Sequence, residues 1–171
     1  LFAAAPRIAD AGKLESSPIT GVHLWFNRPI THLPHAVLVG RLGQWLFSRG
    51  RQDDSDERND SHYYQVVVSA SRSLIGRSGD EIAAEIADEL RAIWPNARSA
   101  RLLHSRVVTE KRAVFSPLPG ADRYRPTQTT PIANLMMAGD WTATDWPSTM
   151  EGAVRSGYLA AEGILAAIQT S

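Results

Sequence analysis

The chain has 171 residues, of which 43% are hydrophobic and 21% charged, a composition that supports a buried core and excludes global disorder. Basic and acidic residues both total 18, so the basic excess typical of nucleic-acid-binding proteins is missing. Because the sequence contains no cysteine, disulfides, thiolate metal sites and thiol nucleophiles are excluded. We therefore expect a folded protein with no nucleic acid partner.

The first residues predict a piece of a longer protein. The chain begins with leucine, and L-F-A-A-A-P has neither the basic nor the full apolar region of a signal peptide. No apolar run approaches the ~20 residues that span a bilayer. Residues 1–20 are interpreted as a connector into a strand at 21–26, where G-V-H-L-W-F alternates with period two.

Several further strands follow the first. Apolar runs at 36–39 and 44–47 flank G-R-L-G and predict a β-hairpin. The acidic stretch 51–61 contains no aliphatic residue and lacks the glycine and final glutamate of a calcium loop, so it predicts a solvated loop. Strands are predicted again at 63–69 and 101–115.

A helix is predicted between these last two strands. Ser78 and Glu81 have the spacing of a capping box, and Pro95 ends the pattern because proline cannot continue the hydrogen-bond ladder. The apolar stripe of this helix consists of Ile82, Ile86, Leu90 and Ile93. Four prolines between 116 and 131 predict an irregular crossing segment, and the order of elements indicates an α+β fold.

Residues 134–166 carry the strongest functional signal. A short apolar strand is predicted at 135–138, ending at Gly139 and Asp140, and a helix is predicted near Ser148, whose spacing to Glu151 is again that of a capping box. Four residues are predicted to share one face of this helix, with the small residues Gly152 and Ala160 nearby. They are Ala153, Gly157, Ala161 and Ile164. A strand that ends in an acidic residue and is followed by a helix N-terminus can bind the hydroxyl and anionic groups of a cofactor. Ordinary strand-to-helix turns have the same pattern.

The closing motif, A-G-D-W-T followed by P-S-T-M-E-G-A-V-R-S-G-Y-L-A-A, resembles the C-terminal flavin-binding motif of the amine oxidase and phytoene desaturase superfamily. Upstream, P-I-T-G-V-H-L-W-F-N-R-P-I and R-A-V-F-S-P-L-P-G-A-D-R-Y-R-P resemble its squalene-associated FAD-dependent desaturases, the hydroxysqualene dehydroxylases. The resemblance implies a connector at 1–20, a substrate-domain sheet with a packed helix at 21–115, and a crossing segment with the C-terminal strand–helix of a Rossmann-like FAD domain at 116–171.

The resemblance also implies which residues contact FAD. Gly139 and Asp140 correspond to the step that touches the ribityl and pyrophosphate groups. The backbone amides expected at the pyrimidine edge of the flavin belong to Met150, Glu151, Gly152 and Ala153. A helix N-terminus there would stabilise the negative charge of reduced flavin, and a purely capping role for Glu151 is the alternative.

The N-terminal half of the family's cofactor site has no counterpart. The chain contains no G-x-G-x-x-G motif, which would hold the pyrophosphate at a helix N-terminus. We therefore expect this piece alone to be inactive and to bind FAD weakly or not at all. Apolar surface left by the missing part predicts homo-oligomerisation.

Thr149 occupies the position where amine oxidases of the superfamily carry an aromatic wall of an amine cage, so the resemblance favours an apolar substrate. The expected reaction is hydride transfer to or from flavin N5 on a squalene-like or carotenoid-like isoprenoid, with the direction left open. Aromatic residues on the predicted strands would line a hydrocarbon tunnel or form ordinary core. These residues are Trp25, Trp45, Phe47, Tyr63 and Tyr64.

The remaining polar residues predict no further chemistry. The five histidines are scattered, no metal site is expected, and no catalytic acid or base can be assigned. Arg123, Arg125 and Arg155 are expected in surface ion pairs, with contact to flavin or substrate oxygen as the alternative. We expect a cytoplasmic protein, with peripheral contact at the inner membrane left open. A non-catalytic α+β module that binds a lipid or a partner chain is the rival function.

Overall fold

The computed structural model of the protein describes residues 6–51 and 61–169. The chain divides into two compact units. The sheet unit is Ser17–Ala113, and the C-terminal unit comprises the described residues up to Ser16 and from Val114 onward. The strands are β1 (Ser16–Phe26), β2 (His35–Val37), β3 (Trp45–Arg51), β4 (His62–Ser69) and β5 (Leu102–Phe115). The helices are α1 (Pro6–Asp10), α2 (Gly79–Ile93), α3 (Pro95–Ser99) and α4 (Met150–Gln169).

A five-stranded sheet in the order β2-β3-β4-β1-β5 organises the sheet unit. The pairs β1/β4, β2/β3 and β3/β4 are antiparallel, and Val22 lies opposite Val66. The structure confirms the strands expected at 21–26, 63–69 and 101–115. It corrects the start of β1, which begins at Ser16 rather than at residue 21, inside the expected connector. The fold is a mixed α/β fold with one antiparallel sheet.

The core of this unit lies on one face of the sheet, under α2. Alternate residues of β1 are fully buried, because successive side chains of a strand point to opposite faces. The capping box of Ser78 and Glu81 is present, and α2 ends at Ile93, before Pro95. The largest buried side chains between sheet and helix are Leu24, Phe26, Leu46, Tyr64, Ile82, Ile86 and Leu90. Each such aliphatic side chain contributes about 2 kcal/mol by leaving water.

The expected hairpin is present and is held by a helix residue. Strands β2 and β3 pair with His35 opposite Phe47, and Gly40 in the connecting turn has a φ of 70°, which favours glycine. The carboxylate of Glu89 accepts hydrogen bonds from the backbone amides of Leu42, at 2.8 Å, and Gly43, at 3.0 Å. The solvated loop expected at 51–61 falls almost entirely outside the described residues.

In the C-terminal unit, the strand expected at 135–138 does not form. Only an isolated bridge joins Thr129 to Met136, because none of the residues that the structure describes supplies a neighbouring strand to complete a ladder there. The crossing segment is irregular as expected, with one short 3-10 turn at Ala121–Tyr124.

Helix α4 begins at Met150, two residues later than Ser148. The hydroxyl of Thr149 accepts a hydrogen bond from the amide of Gly152 at 3.2 Å, which makes Thr149 the capping residue. The hydroxyl of Ser148 instead donates to the carboxylate of Asp140. The predicted capping box of Ser148 and Glu151 is therefore wrong by one position.

The packed face of α4 also differs from the expectation. Gly152, Ser156 and Ala160 are buried. The four residues of the predicted face are all exposed, namely Ala153, Gly157, Ala161 and Ile164. Small residues occur on two adjacent faces of this helix, so sequence spacing alone did not distinguish the face that packs.

Candidate functional site

An array of aromatic side chains covers the face of the sheet opposite α2. Trp25 stacks on Tyr63 with ring centroids 4.9 Å apart and lies 5.0 Å from the ring of His104. Trp45 and Phe47 on β3 stack at 5.9 Å. These rings are half-buried or exposed. We refer to His23, Trp25, Trp45, Phe47, Tyr63 and His104 as the aromatic face.

The registers of three strands explain why these rings share one face. His23, Gln65 and Phe47 lie opposite one another across β1, β4 and β3. Trp25 pairs with Tyr63 in the next row of the same face. The intervening residues of each strand point into the core, as period-two alternation requires.

His23 and Tyr63 form a polar contact within this array. The Nδ1 atom of His23 lies 2.6 Å from the hydroxyl of Tyr63, and the two rings are parallel to within 5°. Burial lowers the pKa of His23, and the charge of Arg106 lowers it further. Burial also raises the pKa of Tyr63, partly offset by Arg49. Both shifts favour the neutral forms, so an uncharged imidazole and an uncharged phenol share the hydrogen bond.

The structure separates the five aromatics named from sequence into two groups. Trp25, Trp45, Phe47 and Tyr63 lie on the aromatic face and are not core residues. Tyr64 is 1% exposed and belongs to the core, where its hydroxyl accepts from the amide of Ile30 at 3.1 Å. Because Tyr63 and Tyr64 are consecutive in one strand, they had to lie on opposite faces, a signal present in the sequence.

Gly139 and Asp140 lie in the C-terminal unit beside the start of α4. Gly139 has a φ of 151°, and a Cβ there would lie 2.3 Å from Nε1 of Trp141, so only glycine fits. Its amide donates to the hydroxyl of Ser156 at 2.8 Å. The carboxylate of Asp140 accepts from Ser148. These bonds join the Gly-Asp step to Ser148, just before the cap residue Thr149, and to Ser156 in the second turn of α4.

The first residues of α4 differ in what their backbone amides already bind. The amide of Gly152 donates to the Thr149 hydroxyl, and that of Ala153 donates to the Thr149 carbonyl at 3.0 Å. The amides of Met150 and Glu151, the first two of α4, have no acceptor within the helix. Met150 is 90% exposed, and Glu151 pairs with Arg155 at 2.9 Å.

A cavity of about 670 Å³ in the C-terminal unit was not expected from the sequence. Its wall includes Phe115, Leu118, Trp146 and Arg125. The side chain of Arg125 is 5% exposed, and its Nε has no hydrogen-bond partner among the described residues. The expectation of a surface ion pair is therefore wrong for Arg125.

The two other arginines are exposed, and Arg155 forms the surface ion pair that was expected. Arg123 is exposed and lies over the ring of Tyr124, 4.7 Å from its centroid. Arg155 is exposed, pairs with Glu151, and lies 4.4 Å from the ring centroid of Trp146. No local pattern distinguishes Arg125 from these two, because the path of the crossing segment decides which of them is buried.

Within residues 6–51 and 61–169, no three His, Asp or Glu side chains come together as metal ligands. No helix in this part of the chain has the length and apolar character needed to cross a membrane. At the aromatic face, the start of α4 and the cavity wall, the polar groups include the His23–Tyr63 pair, the Gly-Asp step with the α4 N-terminus, and buried Arg125.

Comparison with known proteins agrees with the closing motif. The family model described as flavin containing amine oxidoreductase matches residues 3–165, which is nearly the whole chain. The chain belongs to this family. Membership of the amine oxidase and phytoene desaturase superfamily, inferred from the motif beginning A-G-D-W-T, is confirmed.

Relatives within the superfamily include two kinds of isoprenoid enzyme. The chain is 33% identical over 177 residues to 15-cis-phytoene desaturase of Synechococcus elongatus, covering 95% of the chain and 35% of that protein. It is 31% identical over 161 residues to hydroxysqualene dehydroxylase of Sinorhizobium fredii, covering 91% of the chain and 34% of that protein. The chain thus spans about a third of the length of these relatives.

A solved structure supports the fold assignment. An oxidoreductase from Methanosarcina mazei superposes with a TM-score of 0.58 at 16% identity, covering 96% of this chain and 38% of that one. At this identity the likeness concerns the fold alone. The family description implies a flavin in the complete protein.

Proposed function

We propose that the chain is the C-terminal part of an FAD-dependent oxidoreductase that transfers a hydride between flavin N5 and a carbon of a squalene-like or carotenoid-like isoprenoid. Family membership and the two kinds of relative support this proposal. The observation that carries it is the aromatic face of the sheet. A contiguous aromatic surface on one side of a sheet is typical of a binding surface for an apolar molecule.

The chemistry of the aromatic face fits a hydrocarbon better than an amine. Trp25, Tyr63 and His104 present flat ring surfaces, and a hydrogen bond within the protein joins Nδ1 of His23 to the hydroxyl of Tyr63. Thr149, at the position of the amine-cage aromatic, uses its hydroxyl to cap α4. Both features support the apolar substrate that the resemblance favours.

We propose that Gly139, Asp140, Met150 and Glu151 hold FAD in the complete protein, with Gly152 and Ala153 shaping the first turn of α4. The fit rests on the two leading amides, whose hydrogens have no acceptor in the helix, and on the positive end of the helix dipole. Gly152 supports this shape, because a Cβ there would meet the Pro147 carbonyl at 2.6 Å. The flavin would supply hydride acceptance or delivery, and these residues would bind and orient it.

The location and the partners are part of the same proposal. An isoprenoid substrate resides in membranes, so a cytoplasmic enzyme that contacts the inner membrane surface would reach it directly. Self-association through surface left uncovered in this piece is proposed as well. Fractionation of cells and light scattering of the purified protein test these two points.

The first experiment is the visible spectrum of the complete purified protein, with the 171-residue chain measured alongside. We expect bound flavin in the complete protein and a colourless chain after addition of excess FAD. Anaerobic mixing with phytoene, or with hydroxysqualene after chemical reduction, then shows which substrate bleaches or restores the flavin band. A complete protein without flavin would refute the oxidoreductase and favour a lipid-binding or partner-binding module.

The second experiment tests the aromatic face directly. Trp25→Leu removes a stacked ring but keeps an apolar side chain on β1, so we expect KM for the isoprenoid to rise about tenfold with the flavin spectrum unchanged. Val39→Ala is the control, because Val39 is an exposed apolar residue in the hairpin turn. Equal kinetics for both variants would exclude the aromatic face as the substrate surface.

A further inference from the structure

Several buried polar side chains of the C-terminal unit lie around the backbone that follows Gly139. Gln128, Thr142 and Thr144 are buried, and the side chain of Arg125 is 5% exposed. Burying a polar side chain costs free energy unless it is hydrogen-bonded, so the partners of these side chains indicate their role.

Gln128, in the crossing segment, binds the loop after the Gly-Asp step. Its Nε2 atom donates to the hydroxyl of Thr142 at 2.9 Å and to the carbonyl of Ala143 at 3.0 Å. The hydroxyl of Thr142 donates in turn to the carbonyl of Gly139 at 2.8 Å, which also accepts from the backbone amide of Thr142 at 3.0 Å. Gln128 is therefore linked to the carbonyl of Gly139 through one hydroxyl group.

Arg125 binds the next carbonyl of the same loop. Its Nη2 atom donates to the carbonyl of Asp140 at 3.0 Å and to the hydroxyl of Thr144 at 3.5 Å. Its Nη1 atom donates to the carboxylate of Asp122 at 3.1 Å, which fixes the other side of the guanidinium. Two consecutive carbonyls, those of Gly139 and Asp140, are thus bound from the crossing segment. We refer to the side chains of Arg125, Gln128 and Thr142 as the loop clamp.

A bound carbonyl also fixes the direction of the amide that follows it. Every peptide bond in the part of the chain that the structure describes is trans, and in a trans peptide the C=O and N–H groups point in opposite directions. The amides of Asp140 and Trp141 are therefore directed away from the groups that bind the two carbonyls. The amide of Gly139 donates to Ser156 of α4 instead.

The kind of contact matters as much as its place. A loop that is packed by apolar contacts alone has several arrangements of similar energy, because such contacts have no direction. A buried network in which each donor has an acceptor favours one arrangement. Precise placement of a ligand-binding backbone depends on support of this kind.

We propose that Arg125, Gln128 and Thr142 are positioning residues for the flavin site. They act through the backbone of Gly139 and Asp140 and not by contact with the flavin. The part that Gly139 and Asp140 take in binding FAD rests on the proposed function, whereas the contacts of the loop clamp do not.

The test measures the dissociation constant of FAD for the complete protein, after removal of bound flavin, and the visible spectrum of the bound flavin. Thr142→Val keeps the shape of the side chain but removes the hydroxyl that joins Gln128 to Gly139. We expect FAD to bind this variant about tenfold more weakly, with a shifted flavin spectrum. Thr142→Ser keeps the hydroxyl, so its FAD affinity should be within about twofold of the wild type.

Thr130→Val is the matched control, because it removes a threonine hydroxyl from the same crossing segment. The Thr130 hydroxyl donates to the carbonyls of Ile132 at 3.1 Å and Leu135 at 2.8 Å, which lie before the Gly-Asp step. Both valine variants should lower the temperature of unfolding. Only Thr142→Val should change the affinity for FAD, measured at a temperature where each variant is folded.

Gln128→Met keeps the proposal falsifiable if Thr142→Val impairs folding. It removes the donor to Thr142 and Ala143, and FAD should bind about threefold more weakly. Wild-type affinity in Thr142→Val or, where that variant does not fold, in Gln128→Met would overturn the role of the loop clamp. Equal losses in Thr142→Val and Thr130→Val would do the same, and both results would leave the proposed function standing. A complete wild-type protein that binds no FAD would refute the proposed function itself and this inference with it.

Discussion

The hydroxyl of Tyr63 lies 2.6 Å from Nδ1 of His23, on the side of the sheet that faces away from α2. This contact joins two neighbouring strands through their side chains, within the aromatic face of the sheet. The charge of Arg106 lowers the pKa of His23, and the charge of Arg49 lowers the pKa of Tyr63.

The His23 environment predicts a pH dependence of stability. Because burial and Arg106 lower its pKa below the usual 6.5, the unfolded chain binds a proton more readily than the folded one. The contribution of His23 is therefore complete above 6.5 and is lost as the pH falls toward the lower folded pKa. Urea unfolding across this pH range should show a steeper loss in the wild type than in His23→Gln.

The same environment predicts the effect of Arg106→Gln on the His23 titration. Removal of the cationic neighbour should raise the pKa of His23 toward its usual value, as followed by NMR of the imidazole. Arg112→Gln on the same strand is the control, because Arg112 is exposed and is not among the groups that shift His23. An equal change in both variants would show that general charge, rather than Arg106, sets the titration.

Thr149 is predicted to stabilise α4 as its N-cap. Thr149→Val removes the acceptor for the Gly152 amide and should lower the free energy of unfolding by about 1 kcal/mol. Thr149→Ser should retain it. Glu151→Gln weakens only an exposed pair with Arg155, for which we expect less than about 0.5 kcal/mol. A larger cost for Glu151→Gln than for Thr149→Val would restore the capping box predicted from the sequence.

Two glycine-to-alanine changes in α4 should have opposite effects. A Cβ at Gly152 would lie 2.6 Å from the backbone oxygen of Pro147, so Gly152→Ala should destabilise the protein by more than about 1 kcal/mol. A Cβ at Gly157 meets nothing within 4 Å, so Gly157→Ala should stabilise the helix by about 1 kcal/mol. Thermal unfolding of the pair tests which face of α4 packs, and stabilisation by both would contradict this assignment.

Glu89 is predicted to be a main support of the hairpin turn. Glu89→Ala leaves the amides of Leu42 and Gly43 without their acceptor and should cost about 2 kcal/mol, since hydrogen bonds to charged groups are strong. Glu85→Ala, on the same helix, removes only an exposed pair with Arg77 and should cost less than about 1 kcal/mol. Denaturant unfolding with equal losses for both would show that the turn does not depend on Glu89.

Local patterns predicted those elements whose stability depends on short-range periodicity. The alternation of Val22, Leu24 and Phe26 predicted β1, and the spacing of Ser78 to Glu81 with the stop at Pro95 predicted α2. In each case one buried face requires a fixed repeat along the chain, so that the repeat itself is visible in the sequence. The family could be inferred for a different reason, because the closing motif is a long run of residue types in a fixed order.

Features that depend on distant parts of the chain could not be predicted in this way. The run 135–138 is apolar enough for a strand, but a strand requires a paired neighbour, and within residues 6–51 and 61–169 this run forms a single bridge. The burial of Arg125 depends on the path of an irregular segment around Phe115 and Asp140. Helix α4 begins at Met150 rather than near Ser148. The hydroxyl of Ser148 donates to the carboxylate of Asp140, eight residues earlier in the chain, and does not cap the helix.

The sequence by itself determined the family, the sheet with its packed helix, and the positions of the Gly-Asp step and of α4, because these depend on local spacing and on a motif. Only the tertiary structure decided that Trp25 and Tyr63 form an open aromatic face with His23, and that Nε of Arg125 is buried without a hydrogen-bond partner among the residues that the structure describes. Both results depend on which strands and segments become neighbours. That choice is made by packing across long stretches of chain, which no local pattern records.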